Sequence, residues 1–230
     1  MTLASELGKA EKDIVLLFEI RIKKRLDNVT WTLYSAGTYS LAGELKNLAG
    51  VSEYLLSTKA ITAYAPKASI AEVEAAASSY YYDATAKVLY VHTSTGADPG
   101  GGLFLVKATA WRYFSNGQRS GAKAVYYNGH FYDPRLAEDS IPDVSSSLRT
   151  LSEGGIEQTW GTIKILNGNG AYDAELGEWI WQMCLYYLRV GVPGGLYSDY
   201  VIISRGRTGN LTWDDDTFQL ACESQMLAED

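Results

Sequence analysis

Strand-like runs follow one another at short intervals along most of this chain, and that spacing constrains the fold more than any other feature. Runs rich in β-branched and aromatic residues, bounded by Gly, Asn, Asp and Pro, read as strands joined by turns. "DIVLLFEIRI", Asp13 to Ile22, is one such run, and "TWTLYS", Thr30 to Ser35, sets Trp31 and Leu33 against polar neighbours. "VSEYLLSTKAITAY" has mixed periodicity and reads as strand, while "YYYDATAKVLYVHTSTGADP" gives two short strands about an Asp-Ala-Thr-Ala turn. "LFLVKATAWRYFS", "GTIKIL", "MCLYYLRVGV", "DYVIISRGRTG" and "TFQLACES" continue the pattern.

The clearest helix candidate is "SIAEVEAAASS", Ser69 to Ser79. Ser69 can cap it, and Glu72 three residues on completes a capping box. "AELGEWIW" reads as one helical turn or as a bulged entry into a strand. Close strands without long intervening helices favour a mainly β fold: two antiparallel β-barrel or sandwich units, with one short helix in the first. A chain of 230 residues has room for two small cores. Turn signals crowd between Asn116 and Gly129, which places the boundary within 115–130. The expected division is a β-rich domain over 1–120 and a barrel-like domain over 121–230.

The stretch "IKILNGNGAYDAEL", Ile163 to Leu176, poses a choice between a cation loop and a turn. A calcium loop of the EF-hand type needs carboxylates at alternating positions and a bidentate Glu at its twelfth. Asn167 and Asn169 are neutral and the fifth position is Ala171. Asn-Gly supplies the positive φ of a two-residue hairpin, so Asn167 to Gly170 is expected to be a tight turn without metal, flanked by Ile163, Ile165 and Tyr172.

Composition narrows the partners. With 17 Tyr and 6 Trp against 5 Phe, amphipathic rings dominate, as suits half-buried strand faces and interfaces. A net charge of -7 repels phosphate backbones, so nucleic acid is not an expected partner. The one basic cluster, "RIKKRL" from Arg21 to Leu26, reads as a solvated strand end. The first dozen residues read as a polar helix or arm, with neither a signal-peptide pattern nor a membrane span. The expected product is soluble and made in the cytoplasm. Cys184 and Cys222 sit in apolar, strand-like contexts and read as reduced core residues, although only geometry decides whether they pair.

A catalytic constellation is hard to assemble. Only His92 and His130 could serve a Ser-His-Asp site, and no Gly-x-Ser-x-Gly elbow accompanies them. His130, in "NGHFYD", reads as a hydrogen-bonded strand residue, and the two histidines lack neighbours at metal-ligand spacing. Asp214, Asp215 and Asp216 in "WDDDTF" could form a hydrolytic carboxylate pair, but three adjacent Asp are more simply turn formers bonding their own backbone. "GADPGGG" lacks the Lys and Ser/Thr of a P-loop, and "GRTGN" fails in the same way. The expectation is no enzyme, no cofactor, and no catalytic or metal site.

In order along the second half, "FYDPRLAEDSIPDVSSSL", "GTIKILNGNGAYD", "YLRVG" and "YSDYVIISRGRTGNLTWDDDTFQL" resemble a domain of bacteriophage tail-tip and baseplate structural proteins, of the distal tail or hub type. The matching positions are Asn167, Gly168, Asn169, Gly170, Tyr172, Asp173, Gly191, Tyr200, Gly206 and Asp214 to Asp216, with Asn169 standing where the family often has Asp. "YYYDATAKVLYVHTSTGADP" looks like the unit that precedes this domain. The resemblance implies a virion component at the tail tip, assembled in the host cytoplasm. It would form a ring or adaptor with other copies of itself, joining the tail tube to hub, tip or receptor-binding proteins. Six copies would suit a distal ring and three a central hub. Met1 to Lys12, Gly96 to Gly102 and Pro193 to Tyr197 are the candidate contact segments, since arms and Gly/Pro loops order readily against neighbours. Two alternatives stand beside this: a carbohydrate- or receptor-binding β-sandwich using exposed aromatic rings, and a cell-wall hydrolase.

Overall fold

The computed structural model describes residues 14–26, 29–117, 125–137, 145–148 and 156–224. The chain forms two compact units. One, the terminal unit, combines Met1–Ile22 with Arg112–Asp230; the other, the inserted unit, is Lys23–Trp111. The expected single cut near residue 120 therefore becomes a nested division. Two long strands, β1 (Val15–Arg25) and β9 (Phe104–Ser115), carry the chain out of the terminal unit and back. The first strand belongs mostly with the last ones, a long-range pairing that no local turn signal announces.

In the inserted unit, between those two, lie β2 (Thr32–Ser35), β3 (Thr38–Ala42), β4 (Leu48–Leu55), β5 (Ile61–Ala63), β6 (Ala65–Pro66), helix α1 (Ile70–Glu74), β7 (Ser79–Asp83) and β8 (Val88–His92). One sheet runs β2-β3-β8-β7-β6; β5, β4 and β9 form a second series. The β7–β8 hairpin turns where Asp83 Oδ1 accepts from the N–H groups of Thr85 and Ala86, at 2.9 and 2.8 Å. Alternation sets the core: Leu89 and Val91 of β8 are buried while Tyr90 between them points outward. Glu53 is buried on β4, where its Oε2 accepts from Tyr64 OH at 2.6 Å.

Helix α1 is shorter than the periodicity suggests. Ser69 caps it, with its side chain accepting from Glu72 N, but the Glu72 carboxylate reaches Ala68 N rather than completing the box on Ser69. The helix ends at Glu74 with Ala75 as its C-cap, after which Ser78 takes a positive φ and Ser79 opens β7. The Ser79 hydroxyl then donates to the carbonyl of Ala76 at 2.5 Å.

The terminal unit holds β10 (Val125–Tyr127), β11 (His130–Tyr132), β12 (Ser145–Leu148), β13 (Ile156–Leu166), a second short helix α2 (Asp173–Glu178), β14 (Ile180–Gly191), β15 (Val201–Trp213) and β16 (Thr217–Ser224). Its sheet order is β12-β13-β16-β15-β14-β1-β9, and β10 and β11 form a separate hairpin. The architecture is mainly β with antiparallel, sandwich-like sheets, and no barrel closes among the described residues. "AELGEWIW" resolves into α2 followed by the start of β14. The terminal core is built from rings: Phe18, Phe114, Trp181, Tyr186 and Phe218 are fully buried. Trp181 meets Phe218 edge-on at 5.1 Å between centroids, and Phe114 stacks near Phe18 at 6.3 Å. Such pairs add to the burial of their own large areas.

Candidate functional site

The Asn-Gly stretch is not a two-residue hairpin. β13 lies between β12 and β16, and β14 lies between β15 and β1, so the chain from Leu166 to Ile180 connects strands that do not pair. It forms a 3₁₀ turn at Gly168–Gly170 and then α2. The sequence reading failed because a hairpin requires the following strand to be the neighbour, which turn chemistry cannot guarantee. Of the four turn residues, Asn169 (φ 63°) and Gly170 (φ 64°) adopt the left-handed region, while Gly168 does not.

Asn167 holds this segment together. It is buried, and its Oδ1 accepts from Tyr172 N at 2.9 Å while its Nδ2 donates to Asp173 Oδ1 at 2.7 Å. Its own N–H donates to Asp216 O at 2.6 Å, tying the segment to the β15–β16 turn. The Asp173 carboxylate is thus met by an amide at the position where a cation loop would present a carboxylate to a metal.

From this clamp Tyr172 enters the core. Its ring lies 5.6 Å from Phe218 and 5.4 Å from Phe114, and its hydroxyl donates to Asp133 Oδ2 at 2.7 Å. Burial, then the bond to Asp133, pushes the Tyr172 phenol well above its ordinary range. One turn further, Glu175 receives Arg112 through two bonds, Nε to Oε2 at 2.7 Å and Nη2 to Oε1 at 3.2 Å. Arg112 is buried and also lies over the Trp179 ring, 5.2 Å from its centroid. Paired and bidentate, this is the arrangement in which a buried guanidinium is tolerated.

A second polar cluster surrounds Glu19, buried on β1. Its Oε1 accepts from Tyr132 OH at 2.7 Å, from Tyr197 OH at 2.8 Å and from Arg189 Nε at 3.2 Å. Arg189 also lies over the Tyr197 ring at 4.8 Å. Tyr200 packs against Val15, Leu17 and Tyr132, and its hydroxyl meets that of Tyr127. Burial comes first and the Glu19 interaction second in pushing the phenols of Tyr113 and Tyr197 up to about 12, and Tyr132 higher still. Gly191 serves the same cluster: a Cβ there would stand 2.5 Å from Tyr200 Cδ1, so the ring lies flat on the glycine. The Pro193–Tyr197 loop is anchored here through Tyr197, with Leu196 left exposed. Sequence reading singled out Gly191 and Tyr200 but not Glu19, whose partners are more than a hundred residues away along the chain.

Of the candidate catalytic residues, His130 and Asp216 touch the edges of these clusters, while His92 lies in the inserted unit. His130, on β11, stacks on Tyr113 with centroids 4.3 Å apart. His92, in the inserted unit, donates through Nδ1 to Val73 O at 3.0 Å. Asp214, Asp215 and Asp216 are exposed at the β15–β16 turn. There Asp214 Oδ1 accepts from the N–H groups of Asp216 and Thr217, at 3.0 and 2.7 Å, and these backbone donors hold its carboxyl below the usual range. Cys184 and Cys222 are buried and form no disulfide, and burial pushes the Cys222 thiol up to about 12. Among the described residues no three His, Cys, Asp or Glu side chains gather as a metal-binding group. No described helix is long and apolar enough to cross a membrane.

What remains outside the clusters is apolar surface on the terminal unit. Val201, Ile202 and Ile203 are consecutive and all exposed, at 53, 41 and 36%. Successive strand residues point to opposite faces, so this end of β15 is uncovered on both. Leu196 is 71% exposed, and Trp213, at the other end of β15, is 65% exposed. Of the segments singled out for contacts, Met1 to Lys12 lies outside the described residues. Gly96 to Gly102 is exposed for most of its length and tied internally through Asp98, whose Oδ1 accepts from Gly100 N at 2.8 Å. Comparison with known proteins finds no matching family model, no matching curated protein and no matching solved structure.

Proposed function

We propose that this chain is a structural subunit of a phage tail tip or baseplate. In this reading it forms a ring or adaptor with copies of itself, joining the tail tube to hub, tip or receptor-binding proteins, and it catalyses no reaction. The observation that carries the proposal is the exposure of Leu196, in the Pro193–Tyr197 loop, and of Val201 to Ile203 at the nearby start of β15. Monomers seldom leave contiguous apolar patches uncovered unless they are used. Heterologous contacts between identical subunits close rings, and exposed aromatic and aliphatic side chains suit their buried centres. The motif positions support the same reading. Gly191 with Tyr200, Asn167 with Asp173, and Asp214 with Thr217 all hold loops in place.

Native mass measurement of the purified protein, with electron microscopy of tail fractions, tests the proposal. Closed oligomers that fall apart in Ile202→Asp are expected. A single peripheral copy whose Leu196 and Ile202 face solvent would refute it. Turnover of peptidoglycan or a polysaccharide, abolished by substituting His130, Asp214, Asp215 or Asp216, would refute the non-catalytic part.

A further inference from the structure

A ring of this chain needs a second face. A heterologous contact joins two different patches, so each copy must carry both, and Leu196 with Val201 to Ile203 supplies one. The inserted unit holds an apolar sheet face that its own core leaves uncovered. β4 lies between β5 and β9, and its register sets Ile61, Tyr54 and Leu105 in one row across the three strands. Direct partners share a sheet face, and successive residues alternate. The next row, Thr62, Glu53 and Val106, faces the other way, with Glu53 and Val106 buried. The row of Ile61 is therefore the outward one, and Ile61 is 74% exposed. Past the strand ends, Leu56 N donates to Leu103 O at 3.2 Å, which sets these two leucines side by side at 46 and 57% exposure.

Charge marks the same face. Lys107, two residues along from Leu105 and so on the same side, places its ammonium 5.8 Å from the centroid of the Tyr54 ring. Lys59, in the turn between β4 and β5, is exposed. The carboxylate of these strands, Glu53, is turned to the buried side and held by Tyr64. The face is thus apolar with cations at its border, on a chain of net charge -7. The terminal patch has opposite signs at its two ends. Asp199 is exposed two residues before Val201, and Arg205 is exposed two residues after Ile203. Charges placed in this way give a contact its direction, since like charges set together are costly. The exposed Tyr126–Phe131 ring pair on the β10–β11 hairpin offers two side chains against these five.

We propose that the outward face of β5, β4 and β9 receives the Leu196 and Val201–Ile203 patch of the next copy, with Asp199 set toward Lys59 and Lys107 and Arg205 directed away. Aliphatic side chains from both faces fill the buried centre of the contact, and the charges stand at its rim. This inference rests on the ring reading and names the second half of its interface.

Native mass measurement of single and mixed variants of the full chain tests it. Ile61→Asp alters an exposed side chain, so its melting temperature should match the parent while its oligomer falls to monomer. Ile202→Asp should do the same through the other face. Mixed together, the two variants should form a dimer of one copy each and nothing larger, because each retains the face that the other has lost. Leu103→Asp repeats the test at the same face should Ile61→Asp melt early, and Phe131→Asp should keep the full oligomer. Asp199→Lys should weaken assembly roughly tenfold, and adding Lys59→Asp with Lys107→Asp should restore it. An oligomer that survives Ile61→Asp and Leu103→Asp, yet dissociates in Ile202→Asp, would overturn this pairing and leave the ring reading standing. Monomers in both single variants with no mixed dimer would also overturn it, and failure of the charge swap would refute the stated direction. A parent that stays monomeric at every concentration would remove the ring reading and this inference with it.

Discussion

Replacing Asn167 by Ala removes two hydrogen bonds and leaves the backbone bonds to Asp216 and Gly170 in place. The two losses differ in weight. Asp173 is exposed, so water takes over from the amide at its carboxylate, and that bond contributes near the lower end of the charged range. Tyr172 is different: its N–H sits where the ring behind it plugs the core, and an unsatisfied part-buried donor costs about 1–3 kcal/mol. Together the expected destabilisation is roughly 2–3 kcal/mol. For a chain of this size each kcal/mol lowers the melting temperature by about 2–4 °C, so calorimetry should show a fall of roughly 4–12 °C.

Asn167→Asp sharpens the test. It keeps an acceptor for Tyr172 N but sets a second carboxylate where the amide now stands 2.7 Å from Asp173 Oδ1. That variant should be destabilised at neutral pH and recover as the pH falls through the carboxylate range, because protonating one partner restores a donor. If Asn167→Ala melts within about 1 °C of the parent, the clamp is not holding the loop and the reasoning fails. A pH-independent deficit in Asn167→Asp would refute the charge part alone.

Further outcomes follow from the same geometry. Gly170→Val, at φ 64° with a Cβ 2.5 Å from Asp173 Oδ2, should cost about 1–3 kcal/mol, while Gly168→Val, with nothing within 4 Å and no positive φ, should cost far less; chemical denaturation of both checks this. Glu19→Ala strands Arg189 and two phenols and should cost about 3–5 kcal/mol in urea unfolding, against a smaller loss for Glu19→Gln, which keeps an acceptor. Tyr113 and Tyr197 have phenols raised in the fold, so the folded state keeps protons that the unfolded chain loses. Stability is therefore full below pH 10 and drains away from there to about 12, and a flat unfolding midpoint across that window would contradict it.

Strand content was legible in the sequence because β-branched and aromatic runs between turn residues have few other uses, and β7–β8 with its Asp83 turn reads almost directly. What escaped was partnership. "NGNG" carries the chemistry of a hairpin, but the next strand went elsewhere in the sheet, and Asn167 became a buried clamp instead. Glu19 looked like one acidic residue in an apolar run. Only the fold brings Tyr132, Arg189 and Tyr197 to it, across 113, 170 and 178 residues of chain. The tyrosine surplus was visible as composition, yet its division was not. In the terminal unit the rings serve Glu19 and the core, and in the inserted unit Tyr81 and Tyr90 share a sheet face as cross-strand partners, met by Tyr34 from the irregular step of β2. Rings spent on a core need no ligand. Rings that meet across a sheet face do so because register sets the small Ser40 opposite Tyr90, and composition alone cannot show that.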